Sequence, residues 1–340
     1  MEDKTLCLKV PKNRANEAIK EAKRRGVFDE NYKVFRDAEH VYIPVRADSA
    51  NLPVEEWELV ECSPPRAERR EKPKTPSYDL IGDVAIVRSN VLEFLGEDEI
   101  VRALTAFHKR LRAIYVKEET VDEFRIPLLR LIWGEPVEEV SVREYGLSFK
   151  VRLGKVYFNQ RLGEEHHRVA SEVSPGETIA DLFAGVGGFS IHAASMTYVR
   201  VVANDLNPHA YECLLENVRL NKKALKGTVI PFNEDASRIP ELVSCRKCFD
   251  KVIANLPRKS LDFADVYSEL VKPGGVLYLY VLSYDPETTT EEIYRRMGEW
   301  RIISSRLVLE YAPRAGIYLF KLVNADNNEP NQQDRFRIPQ

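Results

Sequence analysis

The C-terminal half of the sequence alternates apolar runs with segments of helical character, and this alternation restricts the possible folds most strongly. Parallel strands need long crossover connections, which helices supply. Continuous apolar runs are typical of strands that are covered on both faces. We therefore expect an α/β fold with a doubly wound, mainly parallel sheet between residues 164 and 325. The apolar runs are TIADLFA, VRVVAND, GTVIPFNED, DKVIAN and GGVLYLYVL.

Two smaller α/β or α+β domains are expected before residue 164. Residues 1–70 contain a strand, a turn, a helix and a second strand, which predicts a small N-terminal domain. A linker follows to residue 77, because CSPPRAERREKPKTPS is rich in proline and basic residues. β-rich runs and one helical apolar stripe, in EDEIVRALTAFHKRLRAIY, predict a middle domain over residues 78–163. The polar tail, residues 326–340, is expected to be disordered.

The composition excludes several classes of protein. The chain has 340 residues, of which 44% are hydrophobic, and its formal net charge of -3 gives no general sign of nucleic-acid binding. Apolar segments are too short for a membrane span, and we expect a cytoplasmic monomer. Cys245 and Cys248 form a lone CxxC pair, whereas a zinc site usually needs two such pairs, so no metal is predicted.

A glycine-rich loop, in DLFAGVGGFSIHAA, joins the first strand of the C-terminal domain to its helix. Gly185 and Gly187 allow the backbone to turn tightly beside a ligand. Asp205 closes the second strand, where a carboxylate can accept from both ribose hydroxyls. A nicotinamide dinucleotide would fit this pattern, but Ser190 stands where the third glycine of its fingerprint is expected.

Acidic residues favour a methyl donor instead. Asp181 precedes the loop and would repel a pyrophosphate, but it suits the ammonium and sulfonium groups of S-adenosylmethionine. Asp235 follows the third strand and can accept from the adenine amino group. The acids end three successive strands, at the edge where open α/β sheets bind ligands. In the alternative interpretation, Asp181 and Asp235 only cap helices or turns.

The sequence NLPRKS follows the apolar run FDKVIA and predicts the acceptor site. Asn255 can both donate and accept, and Pro257 fixes the backbone beside it. This pair can grip a planar N–H/C=O edge whose nitrogen is methylated. No aromatic residue follows, which disfavours methylation of the adenine amino group. Arg258 and Lys259 could bind phosphate, although a simple strand-ending turn is the alternative.

These segments together predict a binding set for the methyl donor and a set for the substrate. The substrate set contains Pro257, Arg258 and Lys259. The donor set contains Asp181, Phe183, Gly185, Gly187, Asp205, Leu206, Asp235, Ala236, Asn255 and Leu256.

The sequence resembles the archaeal and eukaryotic tRNA (guanine-37 N1)-methyltransferases. The resemblance lies in FRIPLLRLIWGE, EYGLSFKVRLGKVYFNQRLGEEHHRVA, DLFAGVGGFSI, NDLNPHA and NLPRKS, which occur in the order of the family. It implies a tRNA-docking domain, a middle domain and a Rossmann-like class I methyltransferase domain. It also implies S-adenosylmethionine as the cofactor and tRNA, through its anticodon loop and body, as the partner.

The resemblance further implies three roles for single residues. Glu165 would be the general base, Arg125 would bind the oxygen of the target base, and His166 would contact the carboxylate of the methyl donor. Three positions depart from the family pattern, because Gln160 replaces a proline and His166-His167 replace arginines. NLPRKS points to a subgroup in which some members also methylate carbon 7 of a tricyclic wyosine precursor, converting 4-demethylwyosine to isowyosine.

The chemistry of guanine explains why a base and a cation are needed. N1 carries a proton, and its removal places negative charge on N1 and O6. N1 also lies on the Watson–Crick edge, so the target must be unpaired and extruded from its loop. Two alternatives stay open: an aminocarboxypropyl transferase that acts in the same tRNA pathway, and an RNA-binding module without catalysis.

Overall fold

The computed structural model describes residues 4–46, 57–67, 76–121, 126–312 and 314–325. The chain divides into two compact units, Met1–Pro73 and Lys74–Gln340. This division falls in the predicted linker, whereas the predicted boundary at residue 163 does not separate two compact units. The predicted disordered tail, residues 326–340, lies outside the described residues. None of the described helices is long and apolar enough to cross a membrane.

The first unit is a four-stranded antiparallel sheet with one helix. Its elements are β1 (Thr5–Pro11), α1 (Ala15–Arg24), β2 (Phe35–Arg36), β3 (His40–Val45) and β4 (Glu58–Cys62), and the strand order is β2-β3-β1-β4. Leu8 and Ile43 are buried in its core with Ala18 and Ala22 of α1. Cys7 and Cys62 are disulfide-bonded between the neighbouring strands β1 and β4, a bond that the sequence did not predict.

The second unit begins with a four-stranded mixed sheet and a hairpin. Its elements are β5 (Tyr78–Ile81), β6 (Val84–Arg88), α2 (Glu97–Phe107), β7 (Ala113–Val121), β8 (Ile126–Gly134), β9 (Glu139–Glu144) and β10 (Leu147–Arg152). The predicted helical stripe is too long, because α2 ends at Phe107, Leu111 lies in the following connection and Ile114 belongs to β7. There Ile114 and Tyr115 pair in parallel with β6, and this strand pairing outweighs the helical spacing.

A seven-stranded sheet forms the rest of the second unit. Its strands are β11 (Thr178–Asp181), β12 (Arg200–Asn204), β13 (Thr228–Phe232), β14 (Phe249–Ala254), β15 (Val271–Ser283), β16 (Trp300–Ala312) and β17 (Ala315–Asn324). Its helices are α3 (Gly163–Ser171), α4 (Gly188–Met196), α5 (Pro208–Leu220), α6 (Ile239–Leu242), α7 (Ala264–Leu270) and α8 (Pro286–Arg296).

The order of these strands confirms the predicted doubly wound α/β fold. The order is β13-β12-β11-β14-β15-β17-β16, and the first five strands are parallel. β17 runs antiparallel to β15 and to β16. Ala180 and Val252 pack in one hydrophobic cluster, whereas Ile179 and Ile253 pack in another. The central strands β11 and β14 are therefore covered on both faces, as their continuous apolar runs predict.

Two asparagines hold the hairpin β9–β10 against the seven-stranded sheet. Asn217 belongs to helix α5, and Asn221 directly follows the last residue of that helix. Asn217 is fully buried, and its amide donates to the backbone oxygens of Lys150 (3.1 Å) and Val186 (2.9 Å). Its side-chain oxygen accepts from the backbone N–H of Lys150 at 2.7 Å. Asn221 bonds the N–H and the oxygen of Ser148 in the same way, at 2.9 and 2.7 Å. These amides pair with the outer edge of β10 as a neighbouring strand would.

Asn217→Ala should lower the free energy of unfolding by about 2–4 kcal/mol, because partly buried backbone groups of Lys150 and Val186 lose their partners. Chemical denaturation would measure this loss. Asn90→Ala is the matched control, because Asn90 is exposed in the same unit. Equal unfolding free energies for the two variants would contradict this account of the joint.

Candidate active site

The candidate site lies where the strand order reverses, at the carboxyl ends of β11 and β14. Ligands of open α/β sheets bind at such a switch point. A cavity of ≈ 300 Å³ opens there, a volume at the lower end of the range for small-molecule sites. Its walls include these residues of the predicted donor set: His166, Phe183, Gly185, Asp205, Leu206, Asp235, Ala236, Asn255 and Leu256.

The glycine loop forms one wall and holds Asp205 in place. Gly185 has a left-handed φ of +57°, and its N–H donates to Oδ2 of Asp205 at 2.7 Å. Oδ1 accepts from the N–H of Asn207 at 2.9 Å. Burial raises the pKa of Asp205, and these two hydrogen bonds oppose that shift. Each oxygen keeps a lone pair, so the oriented carboxylate can accept from two ribose hydroxyls.

Gly187 supports the loop from behind rather than lining the cavity within the described part of the chain. Its φ is +98°, and a Cβ there would lie 2.6 Å from Cδ1 of Leu214. Only glycine combines this backbone conformation with so close a neighbour. Gly187 therefore shapes the loop, and its predicted contact with the donor stays a prediction.

Asp181 requires a correction as well. Its side chain is fully buried beneath the loop and is not part of the cavity wall among the described residues. Oδ2 accepts from the hydroxyl of Ser190 at 2.6 Å, and Oδ1 has no hydrogen-bond partner in the described ranges. Burial raises the pKa of Asp181 to about 7, against the hydrogen bond from Ser190. A direct contact with the cationic groups of a donor is not available in this arrangement.

Another part of the cavity wall combines an acid with apolar side chains. Asp235 precedes a short 3-10 helix, and its Oδ1 accepts from the hydroxyl (2.7 Å) and the N–H (2.8 Å) of Ser237. These bonds lower the pKa of Asp235. Asp235 is thus a cap, as the alternative interpretation held, and it also lines the cavity. Leu206 and the edge-to-face pair Phe183–Phe263 provide flat apolar surface for a base.

His166 closes the cavity from helix α3. A Cβ on Gly188 would lie 2.4 Å from Cε1 of His166, so only glycine lets the ring approach. Nδ1 of His166 donates to Oε2 of Glu144 at 2.9 Å, and Nε2 of His192 donates to the same oxygen at 3.2 Å. Burial would raise the pKa of Glu144, but these hydrogen bonds lower it to about 2. Sequence reasoning missed Glu144 and His192, although Glu144 lies inside a motif that carries the resemblance and His192 directly follows another.

The NLPRKS segment faces two spaces. Asn255, Leu256 and Lys259 line the cavity, whereas Pro257 and Arg258 line a neighbouring cleft of ≈ 960 Å³. Tyr157, Phe158 and Asn159 line both, so the cavity and the cleft adjoin. The cleft carries basic and aromatic side chains, which suit phosphates and unstacked bases. They include Arg88, Lys117, Arg161, Arg258, Tyr78, Tyr157 and Tyr311.

Glu165 is held in a buried network next to His166. Its carboxylate accepts from the hydroxyl of Tyr280 at 2.6 Å, from Arg168 at 2.9 and 3.0 Å, and from Arg306. In the described structure it lines neither the cavity nor the cleft. The arginines and Tyr280 were not found from the sequence. The role of Glu165 as a base stays a prediction, and Arg125 lies outside the described residues.

Comparison with known proteins defines the family. Residues 140–302 match the TRM5/TYW2 methyltransferase domain, and residues 7–53 match the tRNA methyltransferase 5 N-terminal domain. The tRNA (guanine(37)-N(1))-methyltransferase Trm5b of Pyrococcus abyssi is 32% identical, over 91% of this chain and 96% of its own length. The chain belongs to the TRM5/TYW2 methyltransferase family. Its fold class and its similarity to the tRNA (guanine-37 N1)-methyltransferases are thereby confirmed.

Two further relatives of this chain have names that include a reaction on 4-demethylwyosine. A tRNA (guanine(37)-N(1))/4-demethylwyosine(37)-methyltransferase of Nanoarchaeum equitans is 37% identical over 43% of this chain and 48% of its own length. A 4-demethylwyosine aminocarboxypropyltransferase of Methanocaldococcus jannaschii is 31% identical over 69% of this chain and 93% of its own length.

Solved structures agree with the sequence comparison. Trm5b of Pyrococcus abyssi superposes with a TM-score of 0.77 at 29% identity, covering 95% of this chain and 100% of that one. A complex of aTrm5 with tRNALeu has a TM-score of 0.71 at 26% identity, covering 94% and 99%. TYW2 of Methanocaldococcus jannaschii in complex with AdoMet has a TM-score of 0.52 at 25% identity, covering 73% and 100%.

Asp205→Ala should weaken the binding of S-adenosylmethionine by about 1–3 kcal/mol, because the ribose hydroxyls lose a charged acceptor. Calorimetry on the free protein would measure the affinity. Asp265→Ala is the control, since Asp265 is exposed and lies outside the cavity wall. An unchanged affinity in a folded Asp205→Ala protein would rule out this assignment of the cavity.

Proposed function

We propose that this chain transfers a methyl group from S-adenosylmethionine to N1 of guanosine 37 in tRNA, next to the anticodon. One observation carries the proposal: a cavity of cofactor size adjoins a wide cleft with basic, acidic and aromatic side chains, and the NLP segment faces both. A donor in the cavity and a base in the cleft would therefore meet beside Asn255. The name and full-length coverage of the Pyrococcus abyssi relative support this reaction.

The residues of the cavity fit S-adenosylmethionine. Asp205 would accept from its ribose hydroxyls, and Asp235 with the apolar surface around Leu206 would hold its adenine. His166 would take its carboxylate at the other end of the cavity. When bound, the donor supplies a methyl group on a positively charged sulfur, which a nucleophilic nitrogen attacks. The protein has to place that nitrogen and remove its proton.

Asn255 and Glu165 would divide these tasks. The Asn255 amide can donate to O6 and accept from an N–H of guanine, which orients the planar edge. Glu165 would take the proton from N1, and for this its carboxylate must exchange a partner such as Arg306 for the base. Arg125, the predicted partner of the O6 charge, keeps its role as a proposal.

tRNA would bind through the cleft and through the N-terminal unit. The cleft offers basic and aromatic side chains, and residues 7–53 match the N-terminal domain of tRNA methyltransferase 5. The related aTrm5 has been solved with tRNALeu. We also propose that the protein acts as a monomer in the cytoplasm.

A second reaction deserves a test because the cleft, at ≈ 960 Å³, is larger than a guanine requires. A tricyclic guanosine derivative could enter it. The Nanoarchaeum relative has both guanine-37 and 4-demethylwyosine methylation in its name, and the Methanocaldococcus relative transfers an aminocarboxypropyl group. The donor is the same in each case, so the transferred group distinguishes the reactions.

The proposed function is tested with unmodified tRNA transcripts and S-adenosylmethionine labelled either in the methyl or in the aminocarboxypropyl group. Methyl label should appear in N1-methylguanosine at position 37, and a transcript with adenosine at this position should stay unlabelled. Transfer of the other label would favour the aminocarboxypropyl reaction. Binding of transcript and donor without transfer would favour the RNA-binding module.

Glu165→Gln should slow the chemical step by about 10²–10⁴-fold, because glutamine keeps the size of the side chain but cannot accept a proton at neutral pH. Single-turnover assays at saturating donor would measure the step. The defect should shrink as the pH rises, since hydroxide can then remove the N1 proton. Glu164→Gln, an exposed neighbour on α3, is the control. A Glu165→Gln protein with the wild-type rate at neutral pH would show that the base lies elsewhere.

A further inference from the structure

Three buried side chains meet behind the cavity wall, outside the predicted site apart from His166. Glu144 comes from the end of β9, His166 from α3 and His192 from α4, and their exposed fractions are 5%, 6% and 1%. One oxygen of Glu144 accepts from both rings. Tyr145 stacks on His167 with ring centroids 3.8 Å apart, and His167 lies 6.0 Å from His192. The cluster therefore has Glu144 as its acid and three histidines as titratable bases.

The packing leaves one ring atom of His166 for a ligand. The ring lies on Gly188 and makes an edge contact with Phe189 at a centroid distance of 4.6 Å, so its orientation is fixed. Nδ1 is committed to Glu144. Nε2 has no hydrogen bond to the described residues, and His166 lines the cavity. Nε2 is thus the atom that can meet a bound molecule.

The charge of the cluster indicates what that molecule should be. Glu144 is ionised at neutral pH, and a buried carboxylate needs a nearby positive charge. Burial lowers the pKa of His192, which makes His192 the poorer carrier of that charge. The His166 ring is the other partner of Glu144 and lines the cavity, and it would supply this charge if it carried an N–H on both nitrogens. One N–H serves Glu144 and the other points to an acceptor such as a carboxylate.

We propose that Glu144 is a positioning residue for the methyl donor, which holds the ring of His166 so that Nε2–H binds the carboxylate of S-adenosylmethionine. The inference rests on the donor half of the proposed function and needs no assumption about tRNA. It also explains why a glutamate of the β9–β10 hairpin is buried against helices α3 and α4.

Two ligands separate positioning from folding. 5′-Methylthioadenosine shares the adenosine and sulfur of the donor but lacks its carboxylate. Glu144→Gln should weaken S-adenosylmethionine about 10–150-fold in calorimetry, the range expected for one hydrogen bond to a charged group, and change methylthioadenosine less than about 2-fold. Glu164→Gln, exposed on α3, should change neither affinity. In a His166→Ala background, Glu144→Gln should cause no further loss for S-adenosylmethionine.

A second measurement follows the response of the wild-type protein and needs a variant only to assign one signal. With ¹⁵N-labelled histidine, S-adenosylmethionine should shift the Nε2 signal that is absent from His166→Ala, and methylthioadenosine should leave it nearly unchanged.

Several results would overturn the proposal. Equal losses for both ligands would make Glu144 a structural residue, and an unchanged affinity for S-adenosylmethionine would remove its role. The ligand atoms of Glu144, His166 and His192 lie within 4.8 Å of one another. Stoichiometric zinc in the purified protein, lost in Glu144→Gln, would make the cluster a metal site instead. A wild-type protein that binds neither ligand would refute the donor assignment itself, which is a different failure.

Discussion

The reversal of strand order between β11 and β14 is the constraint on which the site depends. On one side of it the chain continues through β12 and β13, and on the other through β15. Loops that leave β11 and β14 therefore diverge and open a crevice at their carboxyl ends. Asp205 enters this crevice after β12, Asp235 after β13 and Asn255 after β14. Residues that are far apart in the sequence share one cavity because the parallel strands all end at the same edge.

The crevice is completed by parts of the chain that precede the sheet. The β9–β10 hairpin is fixed to α5 by the amides of Asn217 and Asn221. Glu144, the last residue of β9, reaches His166. The segment around Tyr157 then separates the cavity from the cleft while lining both. The predicted middle domain and the predicted methyltransferase domain therefore both contribute residues to one cavity.

The sequence predicts the parts of this structure that depend on local pattern. Continuous apolar runs identify β11 to β15, and the glycines with Asp205 identify the cavity, because a strand followed by a tight turn needs these residue types. Burial of single polar residues is different. Asp181 and Asp205 both follow apolar runs, yet only Asp205 lines the cavity, since the loop folds over Asp181. Glu165 meets Tyr280 and Arg306 across 115 and 141 residues, and nothing local marks these partners.

Helix α3 connects the two tasks that the proposed reaction requires. Glu165 and His166 are consecutive, so their side chains leave the helix about 100° apart. Glu165 points to Tyr280 of β15 and Arg306 of β16, whereas His166 points to Gly188 and Glu144. Both are anchored by charged or aromatic partners on rigid elements, which fixes the position of α3 from two directions. A base on one side of this helix and a donor contact on the other would keep a constant separation. Placement of the methyl group and removal of the N1 proton would then depend on the same helix.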